Sequence, residues 1–200
     1  MVEKLKIGEG SHPRKSAVIA TKVNEIIDYI SPGGGLTGSY SAGFVDYNDT
    51  ATAITPITLP ANTWVSITNN GAGAFTNTSY LPPGITRMMD TSNGKFLVDE
   101  LALGSFFVVR NDFTITPSTN NAIVEQRYVL GAGANEYVLE AILGRLDSGS
   151  GKGYRFSLKP DFLYVGDLNT QQNPITLQIK LSTPGTLVNA GSAVGVAING

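Results

Sequence analysis

Cysteine is absent from the 200 residues, so disulfides, thiolate nucleophiles and cysteine-based zinc sites are excluded. Histidine occurs once, at His12 beside Pro13, and any Ser-His-Asp triad or multi-histidine metal site would have to be built on that residue alone. Hydrolase and zinc-enzyme chemistry of the standard kinds is therefore not expected. Charge is scarce too: 15% of the residues are charged, and 14 basic against 16 acidic side chains leave a net charge of −2. That balance provides no field to collect nucleic acid or an anionic membrane. No apolar run approaches the roughly 18 residues of a membrane-spanning helix, and Met1-Val2-Glu3-Lys4-Leu5-Lys6 lacks the apolar core of a secretory signal. The expectation is a soluble chain with no cofactor, no nucleic acid and no membrane among its partners.

What is present favours β structure. An apolar share of 42% is combined with 23 glycines and 10 prolines, a mixture poor for helices and suited to strands joined by tight turns. The length suits one compact domain with a short appendage. No repeat of about 20–50 residues is visible, which argues against a solenoid or propeller.

Four segments follow from the pattern. Residues 1–15 are polar and mildly basic and read as an extended arm. Residues 16–31 contain the one convincing helix, because Ile19, Val23, Ile26 and Ile30 fall at spacings of four, three and four and form a narrow apolar seam. Residues 32–38, with Gly33-Gly34-Gly35, stop the helix and read as a joint; no Lys-Ser/Thr follows to make them a phosphate cradle. Residues 39–200 read as the β domain. A helix this short is marginal alone, so its seam is covered either by the protein's own body or by copies of itself. β-Branched residues at every seam position favour a parallel trimer in the second case.

From Tyr40 onward the period is two. Ile175-Thr-Leu177-Gln-Ile179-Lys-Leu181 alternates over seven positions, as a strand with one wet face must. Similar stretches cover Trp64 to Ile67, Lys95 to Asp99, Ser105 to Thr116, Ala122 to Leu130, Glu136 to Asp147, Tyr154 to Leu158 and Val194 to Ile198. A weaker pair covers Tyr40 to Tyr47 and Ala51 to Leu59. Turn clusters such as Asn69-Asn70-Gly71 and Ser92-Asn93-Gly94 separate them. The fold class expected is all-β, an antiparallel sandwich or barrel. Phe106-Phe107 and Val108-Val109 break the alternation, so this strand is either a central core strand or one packed against copies of the protein on its second face.

Candidate chemistry is thin. Paired carboxylates exist, but nothing singles out a pair for glycosidase-like catalysis, and no enzymatic activity is expected. Asp46, Asn48 and Asp49 offer oxygen ligands yet lack the loop of a known calcium site, so a turn held by side-chain hydrogen bonds is the better reading. Trp64, Tyr80, Tyr154 and Tyr164 could stack on sugars if a groove exposes them; the alternative is half-buried strand residues. Met88-Met89 is open between core plug and interface contact.

The arm with Pro13-Arg14-Lys15, the helix Ala20 to Ile30 and the glycine joint resemble the N-termini of tailed-bacteriophage virion proteins, notably head fibres and capsid decoration proteins. The stretches Asp112 to Asn121, Tyr137-Val-Leu-Glu140, Leu146 to Gly151 and Tyr164 to Thr170 with Asn173-Pro174 resemble a β-sandwich module of phage structural proteins, over about residues 105–198. The resemblance implies a trimeric jelly roll of the tumour-necrosis-factor-like type, non-enzymatic and displayed on the capsid surface of a virion. It implies a homotrimer steered by Ile19, Val23, Ile26 and Ile30. Lys4, Lys6, Pro13, Arg14 and Lys15 would anchor the arm to the major capsid protein or another virion protein. The alternative is a receptor-binding module of a tail fibre or tail tip, with host-surface glycan stacked on Trp64, Tyr154 or Tyr164.

Overall fold

The computed structural model describes residues 40–147, 151–157 and 160–199. The chain divides into two units, Met1–Ser39 and Tyr40–Gly200, and every described element belongs to the second. The arm, the helical seam of Ile19, Val23, Ile26 and Ile30, and the glycine joint lie outside the described residues.

Thirteen strands are described, in chain order β1 (Tyr40–Asn48), β2 (Ile57–Leu59), β3 (Val65–Ser66), β4 (Asn77–Tyr80), β5 (Met89–Asp90), β6 (Lys95–Phe96), β7 (Phe106–Pro117), β8 (Ala122–Leu130), β9 (Tyr137–Leu146), β10 (Tyr154–Ser157), β11 (Asp161–Tyr164), β12 (Thr176–Leu181) and β13 (Gly185–Asn199). Two α-helical turns, α1 (Ala51–Ile54) and α2 (Leu168–Gln172), and one 3-10 turn, Gly133–Asn135, interrupt them. Sheet A runs β10-β7-β13-β1-β4, with β11 also on β7 and β2 also on β13; sheet B runs β3-β12-β8-β9, and β5-β6 is a separate hairpin. All pairings between these strands are antiparallel.

The order is that of a hairpin rolled up lengthwise. First pairs with last (β1·β13), then β3·β12, then β7 with β10 and β11, then β8·β9 at the inner turn; rolling brings β13 beside β7 and β12 beside β8. The fold is an antiparallel β-sandwich, one of the two forms expected from the period-two pattern, and its topology is the jelly roll that the resemblance implied.

Alternation fixes the register. Along β7, Phe107, Val109, Phe113 and Ile115 are buried, and along β12 Leu177, Ile179 and Leu181 are, so a one-residue slip would turn both rows to the wrong face. Each such side chain contributes about 1.5–3 kcal/mol on burial. β7 is a central strand, and Phe106 and Val108 lie half-buried on its second face. Met88 and Met89 are both buried in the core, which settles them as core plugs.

The stretch Ala51 to Leu59, expected as one strand, is instead a helical turn followed by β2. Asp49 causes this: Oδ2 accepts from the backbone N–H (2.8 Å) and hydroxyl (2.6 Å) of Thr52, and Oδ1 from the N–H of Asn70 (2.8 Å). Those bonds engage the Asp49 carboxylate in turn geometry. Opposite, β13 carries a bulge at Gly191, whose φ of +138° and the 2.4 Å that would separate a Cβ from the Tyr47 carbonyl both demand glycine.

Candidate interaction face and an open-edge cleft

The two sheets wear different outer faces. On sheet A, register places Ala197, Gly195 and Ala193 of β13 between Phe106, Val108 and Arg110 of β7 on one side and Ala42, Phe44 and Asp46 of β1 on the other. Small residues in the middle leave a groove of about 230 Å³ lined by Phe44, Val108, Pro160, Ala193 and Gly195. Aromatic ridges flank it. Phe44 stacks on Tyr80 with centroids 4.8 Å apart, and Phe162 lies 5.2 Å from Phe106 and 6.4 Å from Tyr164. Phe44, Tyr80, Phe162 and Tyr164 are nevertheless 48%, 57%, 58% and 48% exposed. Contiguous exposed aromatics of this kind mark an interaction face rather than a finished surface.

Sheet B carries charges around Trp64, while Ile123, Val138 and Ile142 on the same outer face stay exposed, Ile142 at 73%. Lys180 pairs with Glu125, and the Arg127 guanidinium donates to Gln178 Oε1 at 2.7 Å. Both cations also lie over the Trp64 ring, at 4.4 Å for Arg127 and 4.6 Å for Lys180. The three residues expected as sugar-stacking candidates are thus dispersed. Trp64 is on sheet B under two cations. Tyr154, opposite Ile115, is on the inner side of sheet A and half-buried, with Lys152 5.6 Å over its ring; Tyr164, opposite Phe106, is on the outer side.

Where β9 ends sheet B, the sandwich is open toward β11. A cleft of about 340 Å³ lies there, walled by Leu139 and Ala141 of β9 and by Phe162 and Leu163 of β11. Its polar floor is Gln126, Tyr128 and Asp161, backed from beneath by Asn111 and Ser192. Ser192 Oγ donates to Asn111 Oδ1 (2.7 Å), Asn111 Nδ2 donates to the Tyr128 hydroxyl (2.6 Å), and that hydroxyl donates to Asp161 Oδ2 (2.9 Å). Gln126 Nε2 reaches the same Asp161 oxygen at 2.7 Å. Every donor in this chain points toward the carboxylate, so the bonds polarise one another in one sense. Burial, reinforced by the Asp161 charge, pushes the Tyr128 hydroxyl well above its usual range and keeps it protonated as a donor. Gln126 Oε1 is buried without a hydrogen-bond partner among the described residues. No local pattern signals this cleft, because its residues meet only through the rolled topology.

Among the described residues no three His, Cys, Asp or Glu side chains gather as metal ligands. No described helix is long and apolar enough to cross a membrane.

Fold and face together define a jelly-roll β-sandwich with one aromatic sheet face uncovered. No protein-family model matches the chain, and no curated protein matches it. Among solved structures it is similar to PRD1 vertex protein P5, at 14% identity and a TM-score of 0.38, over 83% of this chain and 99% of that one. It is also similar to chains from structures of infectious bursal disease virus. For the Gt strain the identity is 11% and the TM-score 0.27, over 84% of this chain and 34% of that one; for the Gx strain they are 12% and 0.29, over 84% and 54%.

Proposed function

We propose that the protein is a non-enzymatic virion structural component, a homotrimeric capsid decoration or head-fibre protein that associates through the outer face of sheet A. The observation that carries the reading is that face: a shallow apolar groove floored by Ala193 and Gly195 between aromatic ridges. A second copy is the occupant, because ridge and groove are complementary in shape and polarity and are both present on every copy. Burying the half-exposed rings of Phe44, Tyr80 and Phe162 supplies the apolar contribution that association needs. In this reading the Ile19, Val23, Ile26 and Ile30 seam sets the number three. Lys4, Lys6, Pro13, Arg14 and Lys15 anchor the arm to the major capsid protein or another virion protein, and the jelly roll projects outward.

Light scattering on the full chain tests it. A mass three times that of one chain is expected, falling to one chain in Phe44→Asp, an exposed position whose change leaves the core untouched. A monomeric parent, or a trimer unmoved by Phe44→Asp, sinks the assembly face. Retained particle attachment after deletion of residues 1–15 would move the anchor elsewhere.

A further inference from the structure

We infer that the cleft between β9 and β11 is a binding site for an alkylguanidinium group, the head and stem of an arginine side chain, with Asp161 as its anchor. The polar floor of the cleft shares no residue with the groove, and Phe162 alone belongs to both the cleft rim and the aromatic ridge.

The polar groups set the ligand's chemistry. Asp161 Oδ2 already accepts from Gln126 and Tyr128, both neutral donors, and Oδ1 accepts no hydrogen bond from the described residues. The Tyr128 hydroxyl is fully used, accepting from Asn111 and donating to Asp161. The carbonyl of Gln126, a residue only 3% exposed that lines the cleft, has no hydrogen-bond partner among the described residues. The cleft therefore offers acceptors that are charged, the Asp161 carboxylate on its floor and the exposed Glu140 on its wall, with the buried Gln126 carbonyl behind them. A buried acceptor left unpaired costs about 1–3 kcal/mol, so a ligand rich in donors gains most there. A sugar hydroxyl brings acceptors of its own that the floor would leave unpaired, whereas a guanidinium carries donors only, in a planar fork suited to carboxylate.

The walls set the stem. Leu139, Ala141 and Leu163 give an apolar channel, and the Phe162 ring, 58% exposed, stands at its rim where a guanidinium plane can stack. The oriented chain from Ser192 through Asn111 and Tyr128 holds the carboxylate in place before anything binds, which lowers the ordering cost of association.

Titration of the full chain with n-butylguanidinium, followed by the methyl NMR signals of Leu139 and Leu163, tests the site. Saturable shifts are expected, with a dissociation constant of order 1–10 mM as befits so small a ligand. An arginine-containing tripeptide that saturates more tightly would point to a protein source for the group, and equal affinity would point to the free small molecule; both support the site. Asp161→Asn should weaken binding about ten-fold or more. Should that variant fail to fold, Ala141→Phe, at an exposed position off the polar chain, fills the channel and should abolish the shifts. No saturation in the parent, unchanged binding in either folded variant, or equal saturation by methyl glucoside overturns the assignment.

Discussion

Sheets A and B are built from the same alternating strands, yet their outer faces end differently. Sheet B gathers Glu125, Arg127, Gln178 and Lys180 around Trp64 and leaves only aliphatic side chains, Ile123, Val138 and Ile142, exposed beside them. Sheet A leaves Phe44, Tyr80, Phe162 and Tyr164 half-exposed around a groove. The difference teaches where to look for a partner: a strand's inner residues decide the fold, and the residues between them decide what the fold meets.

The sharpest way to break this contrast is to place charge on each face in turn. Phe44→Asp should weaken self-association about 100-fold or more by sedimentation analysis, while Gln178→Glu on sheet B should leave it unchanged. Equal effects from the two would erase the distinction between the faces. Within the sandwich, Tyr128→Phe removes a buried hydroxyl and leaves Asn111 Nδ2 without its acceptor, so a loss of about 1–3 kcal/mol is expected in denaturant unfolding.

Smaller effects concern the outer sheet and pH. Arg127→Ala should cost about 1 kcal/mol or less, read as a small fall in the denaturant midpoint, because a partly exposed cation on Trp64 contributes little. Tyr128 and Tyr47 are both raised in the folded state by burial. Their contribution to stability is therefore full below the unfolded tyrosine value near ~10 and declines as pH rises beyond it toward the folded values. Unfolding at about pH 11 should need less denaturant than at about pH 8, and Tyr128→Phe should flatten that slope. On the acid side, burial pushes Glu100 up, but hydrogen bonds from the Thr86 hydroxyl and backbone and from Arg87 outweigh it and hold the group low. The Thr86–Glu100 contact should be kept above the unfolded glutamate value near ~4.3 and loosen as pH falls through the folded one, visible as a change confined to the Thr86 and Arg87 amide signals.

Legibility in the sequence followed local pattern. Ala122–Leu130 was readable residue for residue because its apolar side chains alternate cleanly, and Thr176–Leu181 nearly so. β4 was not, since Asn77, Thr78 and Ser79 provide no alternation and are held only as an edge beside β1. β11 was hidden by its four-residue length directly after Pro160. Of β13 only Val194 to Ile198 was visible, because the Asn189 to Ser192 stretch reads as a turn and becomes a bulged strand only between β1 and β7. Phe106-Phe107-Val108-Val109 did signal a strand with two apolar faces. The cleft had no such signature, as Asn111, Gln126, Tyr128, Asp161 and Ser192 lie on four strands.

The position of β13 has a consequence for biosynthesis. It lies between β7 and β1 at the centre of sheet A, while also pairing with β2. A nascent chain stopped before Gly185 can pair β7 with β10 and β11 and β1 with β4, but lacks the strand that joins the two groups. Sheet A can therefore be completed only after the ribosome has released residues 185–199, and every earlier length leaves one edge of β7 and one of β1 unpaired. A prematurely terminated chain would expose those edges to degradation, so the strand order itself acts as a check that only complete domains persist.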